Sequence, residues 1–184
     1  MLFRSRYFGN GEEEADYSGE STPNIEVDGW GLALWAARQY VDASGDVAWL
    51  SEKTRRGPAV YEVLATGVAD ALAQHREQNG IIKPDSSIWE VHDERKKHFA
   101  YTTLAAIRGF CDMATLALRA GRADDVQKYQ GYTQKASDGF FASFLDRQGA
   151  IAGSVEELAM KGGVIRLGNV RIAVAYPAAL DAWR

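Results

Sequence analysis

PDSSIWEVHDERKKHFAY, Pro84–Tyr101, interrupts a chain that is otherwise read as helices. It opens on a polar, turn-prone run (Pro84-Asp85-Ser86-Ser87), reaches Trp89-Glu90, crosses a charged stretch and enters an apolar helix at His98-Phe99. A carboxylate beside a tryptophan at the mouth of a helix suits an acid that apolar neighbours keep protonated. The same placement also suits a carboxylate that simply caps the helix. Both readings of Glu90 stand at this point.

Working outward, the chain repeats one layout on either side of this run. Upstream, Asp28 is of N-cap type and opens a helix through GWGLALWAARQYVDAS to Gly45, a natural stop. Trp30, Leu34, Ala37 and Val41 form one stripe, while Leu32, Trp35, Ala36 and Tyr40 make the other faces apolar too, which marks an inner helix. Asp46 caps a short segment, Val47–Thr54, and Gly57-Pro58 restarts a helix reaching about His75. There Val60, Leu64, Val68 and Leu72 oppose a polar face, as on an outer helix. Downstream, Thr102–Ala120 is again apolar round most of its circumference, Gly121 ends it, and Asp124–Leu145 is amphipathic. Glu156–Lys161 predicts one or two helical turns. Gly162–Tyr176 predicts a short hairpin around Leu167-Gly168-Asn169, and a third inner helix begins near Pro177.

The order inner, outer, inner, outer predicts an all-α fold of antiparallel helical hairpins, as in a partial α/α toroid of the six-hairpin barrel type or an α-solenoid. Residues 1–184 then form a single, partial domain, with 1–27 as a leading surface loop. In such a stack alternate helices run the same way, so their N-termini share a rim. Asp28 and Trp89-Glu90 are expected on that rim, and the tail from Asp146 is expected to approach it.

Composition narrows the function classes. The chain has 184 residues, 46% hydrophobic and 25% charged, with a net charge of −4, which suits a globular domain and not a nucleic-acid surface. No stretch is long enough to cross a bilayer, and the N-terminus lacks the apolar run of a secretory signal, so a cytoplasmic location is favoured. The single cysteine, Cys111, reads as a small core residue, Glu12-Glu13-Glu14 as a solvated patch, and His75 as a solvated group on an outer face. The three histidines have no clustered acids or cysteines at ligand spacing, so no metal and no cofactor is expected.

These motifs carry a resemblance. Ile88-Trp89-Glu90-Val91, a charged gap and His98-Phe99-Ala100-Tyr101 resemble the surroundings of the general acid in glucoamylase-like enzymes, glycoside hydrolase family fifteen. Val27-Asp28-Gly29, Leu32-Ala33-Leu34-Trp35 and Ser44-Gly45-Asp46 before Trp49-Leu50 resemble that family's preceding hairpin, so the likeness spans roughly Glu26–Leu118. It implies inverting hydrolysis of terminal α-linked glucose from an oligo- or polysaccharide, without metal. One carboxyl protonates the leaving oxygen and another activates water, about 6.5–9.5 Å away. It casts Glu90 as the general acid, Trp89 as its apolar wall, and Asp28, Trp89 and His98 as substrate-binding residues. The sequence departs from the family in having Ala100 where a Thr follows His-Phe, and in lacking the upstream sugar-binding helix and a recognisable general base, for which Glu156 and Glu157 are the only paired acids downstream. A central fragment is therefore expected, self-associating through exposed inner-helix flanks. The alternative is a non-catalytic helical-hairpin module that binds carbohydrate or protein.

Overall fold

The computed structural model describes residues 26–89, 96–146, 148–161, 166–167 and 170–171. The fold is all-α. Helix α1 (Asp28–Ser44) is followed by a 3₁₀ turn (Ala48–Ser51). Next, α2 (Val60–Glu62), a π-helical stretch (Val63–Asp70) and α3 (Ala71–Gln74) run on as one continuous rod. A second 3₁₀ turn (Ser87–Trp89) leads towards α4 (Ala100–Arg119), then come α5 (Ala123–Phe144) and α6 (Val155–Lys161). A two-rung antiparallel ribbon, β1 (Arg166–Leu167) with β2 (Val170–Arg171), forms where the hairpin around Leu167-Gly168-Asn169 is expected. The leading residues 1–25 and the start of a third inner helix at Pro177 lie outside the described residues.

Local chemistry accounts for the element ends. Gly45 closes α1 in the left-handed region at φ 70°, its N–H donating to Val41 O, a conformation glycine adopts without strain. Asp28 is the first helical residue of α1 and Val27 its N-cap, one position earlier than expected. Val27, at the end of the stretch read as a surface loop, is core at 1% exposure. Asp46 does cap its segment, accepting the Trp49 N–H at 3.1 Å, but the segment is a single 3₁₀ turn.

Ion pairs and close approaches fix the directions. Gly31 of α1 lies against the Ala105 carbonyl of α4, and a Cβ at Gly109 would meet Gly31 Cα at 2.7 Å. Arg38 then reaches Asp112 at 3.1 Å, and Arg119 reaches Asp42 at 2.8 Å. Residue numbers rise together along both helices, so α1 and α4 run parallel. The rod and α5 are likewise parallel: Tyr61 donates to Asp125 at 2.6 Å, Tyr129 to Ala65 O at 3.3 Å, and Arg76 to Tyr132 O at 3.4 Å.

The core lies between these four bodies. It holds Leu34, Val41, Leu50, Val68, Leu72, Phe110, Met113, Leu116 and Tyr129, with Phe140 and Phe144 in a second cluster beside Ile81 and Ala100. Burying a side chain of this size contributes roughly 1.5–3 kcal/mol each. Two sequence readings need correction. Cys111 is exposed rather than core, because α4 turns its Tyr101–Leu104–Cys111–Leu118 flank outward. His75 is half-buried, its ring 4.9 Å from that of Trp30 in an edge contact.

Candidate functional site

The N-terminal ends of α1 and α4 are held together by a residue of the intervening run. Asp85 Oδ2 accepts the Val27 N–H at 3.1 Å, and its two oxygens accept the Thr102 hydroxyl at 3.1 and 3.2 Å. Its carboxylate also takes the Ser87 amide, the local bond by which an aspartate builds a turn. Asp85 backbone pairs with Lys97, N–H to O at 3.2 and 3.4 Å, so both ends of the run that carries Trp89 are tied at one point.

This junction is polar and closed. Asp28, Asp85, Ser86, Ser87 and Thr102 are all buried, at 4% exposure or less. Ser87 adopts φ 50°, an uncommon left-handed conformation for a residue with a Cβ, and costs on the order of 1 kcal/mol. Burial raises Asp85 to a pKa of about 7; the Val27 amide and the Thr102 hydroxyl oppose the shift and the neighbouring Asp28 charge adds to it. Asp28 is raised too, by burial, against its own and the Gly29 amides. Tyr101 is raised by burial and by the Asp28 charge. Among the described residues, Asp28 Oδ1 and the Ser86 and Ser87 hydroxyls have no hydrogen-bond partner.

The tail meets the rim, as its sequence position suggests. Ala100 N–H donates to Gly153 O at 2.9 Å and Val155 N–H to His98 O at 3.2 Å. His98 Nδ1 lies 2.7 Å from Glu156 and its Nε2 lies 3.6 Å from Glu77. Lys97 pairs with Glu157 at 3.1 Å. Glu156 sits below the usual carboxylate range: burial pushes it up, but the His98 ring and the His98 and Glu156 amides outweigh that.

Of the residues singled out in the sequence, Asp28 and His98 therefore flank one junction, Asp28 inside it and His98 on its outer side in an ion pair. Trp89 ends the 3₁₀ turn that leaves Ser87. Glu90 lies outside the described residues. Asp85, Thr102, Ser86 and Ser87 were missed. Their signal was modest: a Pro-Asp-Ser-Ser run with a turn-forming aspartate, and a threonine in the first turn of an apolar helix. An open groove between α4 and α5, lined by Cys111, Thr115, Leu118, Gln130 and Gln134 among others, brings no carboxylate or imidazole together and is not the candidate site. Among the described residues, no cluster of three or more metal-ligating side chains occurs. No described helix is long and apolar enough to cross a membrane.

Comparison with protein-family models, with characterised proteins and with solved structures gave no match.

Proposed function

We propose that this chain is a helical-hairpin portion of a glucoamylase-like α/α toroid, contributing the acid side of an inverting α-glucosidase site. Glu90 is the general acid, Trp89 its apolar wall, and Asp28 and His98 belong to the substrate side. The observation that carries the reading is the clasp at Asp85. It draws the starts of two parallel helices and both ends of the Trp89-bearing run to one rim, the layout a toroid needs for side chains remote in sequence to face one substrate. An acid of this kind must stay protonated near neutral pH, which apolar surroundings achieve by destabilising its charged form. The exposed flanks of α1 (Leu32, Trp35, Tyr40) and α4 (Tyr101, Leu104, Leu118) are the surfaces that further hairpins would cover.

The alternative, a non-catalytic module binding carbohydrate or protein, draws support from the downstream acids. Glu156 and Glu157 are each engaged in an ion pair, with His98 and Lys97, and neither is poised to activate water. Incubation with maltose, maltooligosaccharides and trehalose separates the two. Glucose release that disappears in Glu90→Gln supports the glycosidase. Sugar binding without release, unchanged by Glu90→Gln, supports the module.

A further inference from the structure

We propose that Asp28 and Asp85 act together as a proton-binding pair, which makes the clasp between the first turns of α1 and α4 pH-sensitive: firm while the pair holds a proton, strained once both carboxyls are ionised. The inference goes beyond the glycosidase reading and does not rest on it.

Geometry comes first. Two carboxyls at 4% and 2% exposure lie at the meeting point of two helix starts, Asp85 accepting the N–H of Val27, the residue before Asp28, at 3.1 Å. Among the described residues, the groups that hold them are uncharged: the Val27 and Ser87 amides and the Thr102 hydroxyl on Asp85, the Asp28 and Gly29 amides on Asp28. From α4, the Tyr101 phenol is the titratable group that feels the Asp28 charge, and its own pKa is raised. Among the described residues, Lys97 pairs with Glu157, and His98 lies between Glu156 and Glu77.

Two like charges taken out of water at one site cannot both ionise without a large penalty, so one carboxyl keeps its proton. Among the described residues Asp28 Oδ1 is a buried oxygen without a hydrogen-bond partner, so it is a place where a proton can sit. The helix starts favour negative charge, which is consistent with one carboxylate remaining ionised beside its protonated partner. The direction of the pH effect follows. A carboxyl raised to about 7 in the folded chain contributes stability that is complete below its unfolded value and lost as pH rises through about 7.

The test is thermal unfolding from about pH 5 to about pH 8, for the parent chain, Asp85→Asn and Asp28→Asn, all in a His75→Gln/His92→Gln/His98→Gln background so that imidazoles do not contribute. The parent should lose stability steadily as pH rises. Asp85→Asn should abolish at least about half of that slope. Asp28→Asn should move the fall to lower pH by about half a unit or more, because a neighbouring negative charge has gone. A parent profile that is flat or rises with pH overturns the proposal, as does an unchanged slope in Asp85→Asn. Should Asp85→Asn fail to fold, the Asp28→Asn displacement decides alone, and no displacement overturns the proposal. A rise in unfolding temperature with calcium or magnesium at the alkaline end, absent from Asp28→Asn, would mean that a cation and not a proton balances the pair, and also overturns it.

Discussion

Asp112 has no exposed side-chain surface, yet it carries a carboxylate in the middle of α4. Arg38 reaches one of its oxygens from α1 at 3.1 Å and Arg108 reaches the other at 2.6 Å. The pairing offsets the cost of removing that charge from water, and removing one side exposes the cost. Asp112→Ala should lose about 1–3 kcal/mol of unfolding free energy in urea, since two part-exposed guanidinium groups lose their shared partner. A loss under about 1 kcal/mol would mean that the arginines find water instead. Glu156 makes a prediction of opposite pH sign to Asp85. Its folded pKa is depressed, so the stability it adds is present above its unfolded value and is lost as pH falls through the folded one. Acidification below about pH 4 should therefore raise amide exchange in α6 before α4 and α5, and Glu156→Gln should remove that acid step. At this scale the sequence was partly legible. Asp28 stood out as an acid at a helix start, whereas Asp85 and Asp112 did not. What distinguishes those two is a partner remote in the chain, Val27 for one and Arg38 for the other, and spacing along one helix carries no trace of it.

Elements were legible wherever composition and period agreed. The stripe Val60–Leu64–Val68–Leu72 and, on α5, Val126, Tyr129, Ala136 and Phe140 are the faces that pack, and Gly45 and Gly121 end their helices at φ 70°. The π-helical stretch Val63–Asp70 was not legible, because apolar residues four apart fit an α-helical or a slightly wider turn equally well. Glycines inside helices were also opaque, since the sequence cannot say which of them a neighbouring backbone crosses. The structure separates them. A Cβ at Gly109 would meet Gly31 Cα at 2.7 Å and the Leu34 side chain at 3.2 Å, whereas at Gly131 it would meet nothing within 4 Å. Gly131→Ala should stabilise the chain by about 0.5–1 kcal/mol through helix propensity alone. Gly109→Ala should cost about 1–3 kcal/mol, because α1 and α4 must move apart to admit a methyl group. Urea midpoints of the two variants decide this, and a shift of the same sign in both would contradict the close crossing.

For the molecule as a whole, periodicity foretold that α1 and α4 are apolar round most of their circumference, but not which flank would be left uncovered. That depends on what else packs there, which one chain's pattern cannot encode. Only one side of each helix joins the core. Leu32, Trp35 and Tyr40 on α1 stay 40–45% exposed, and Leu104 and Leu118 on α4 stay 44% and 68% exposed. Scattered exposed leucines are ordinary on a protein surface, but two helices each presenting a run of large apolar groups are less so. If these flanks are surfaces that further hairpins would bury, the isolated chain should associate through them. Sedimentation at rising concentration should then show a mass increase in the parent chain. The paired change Trp35→Glu and Leu104→Lys should abolish it while moving the unfolding temperature little, since neither side chain belongs to the core. A monomeric parent across the range would count against the toroid as the setting of this rim. A mass increase that survives the charged pair would place the contact elsewhere, the Cys111–Leu118 groove between α4 and α5 being the next surface to substitute.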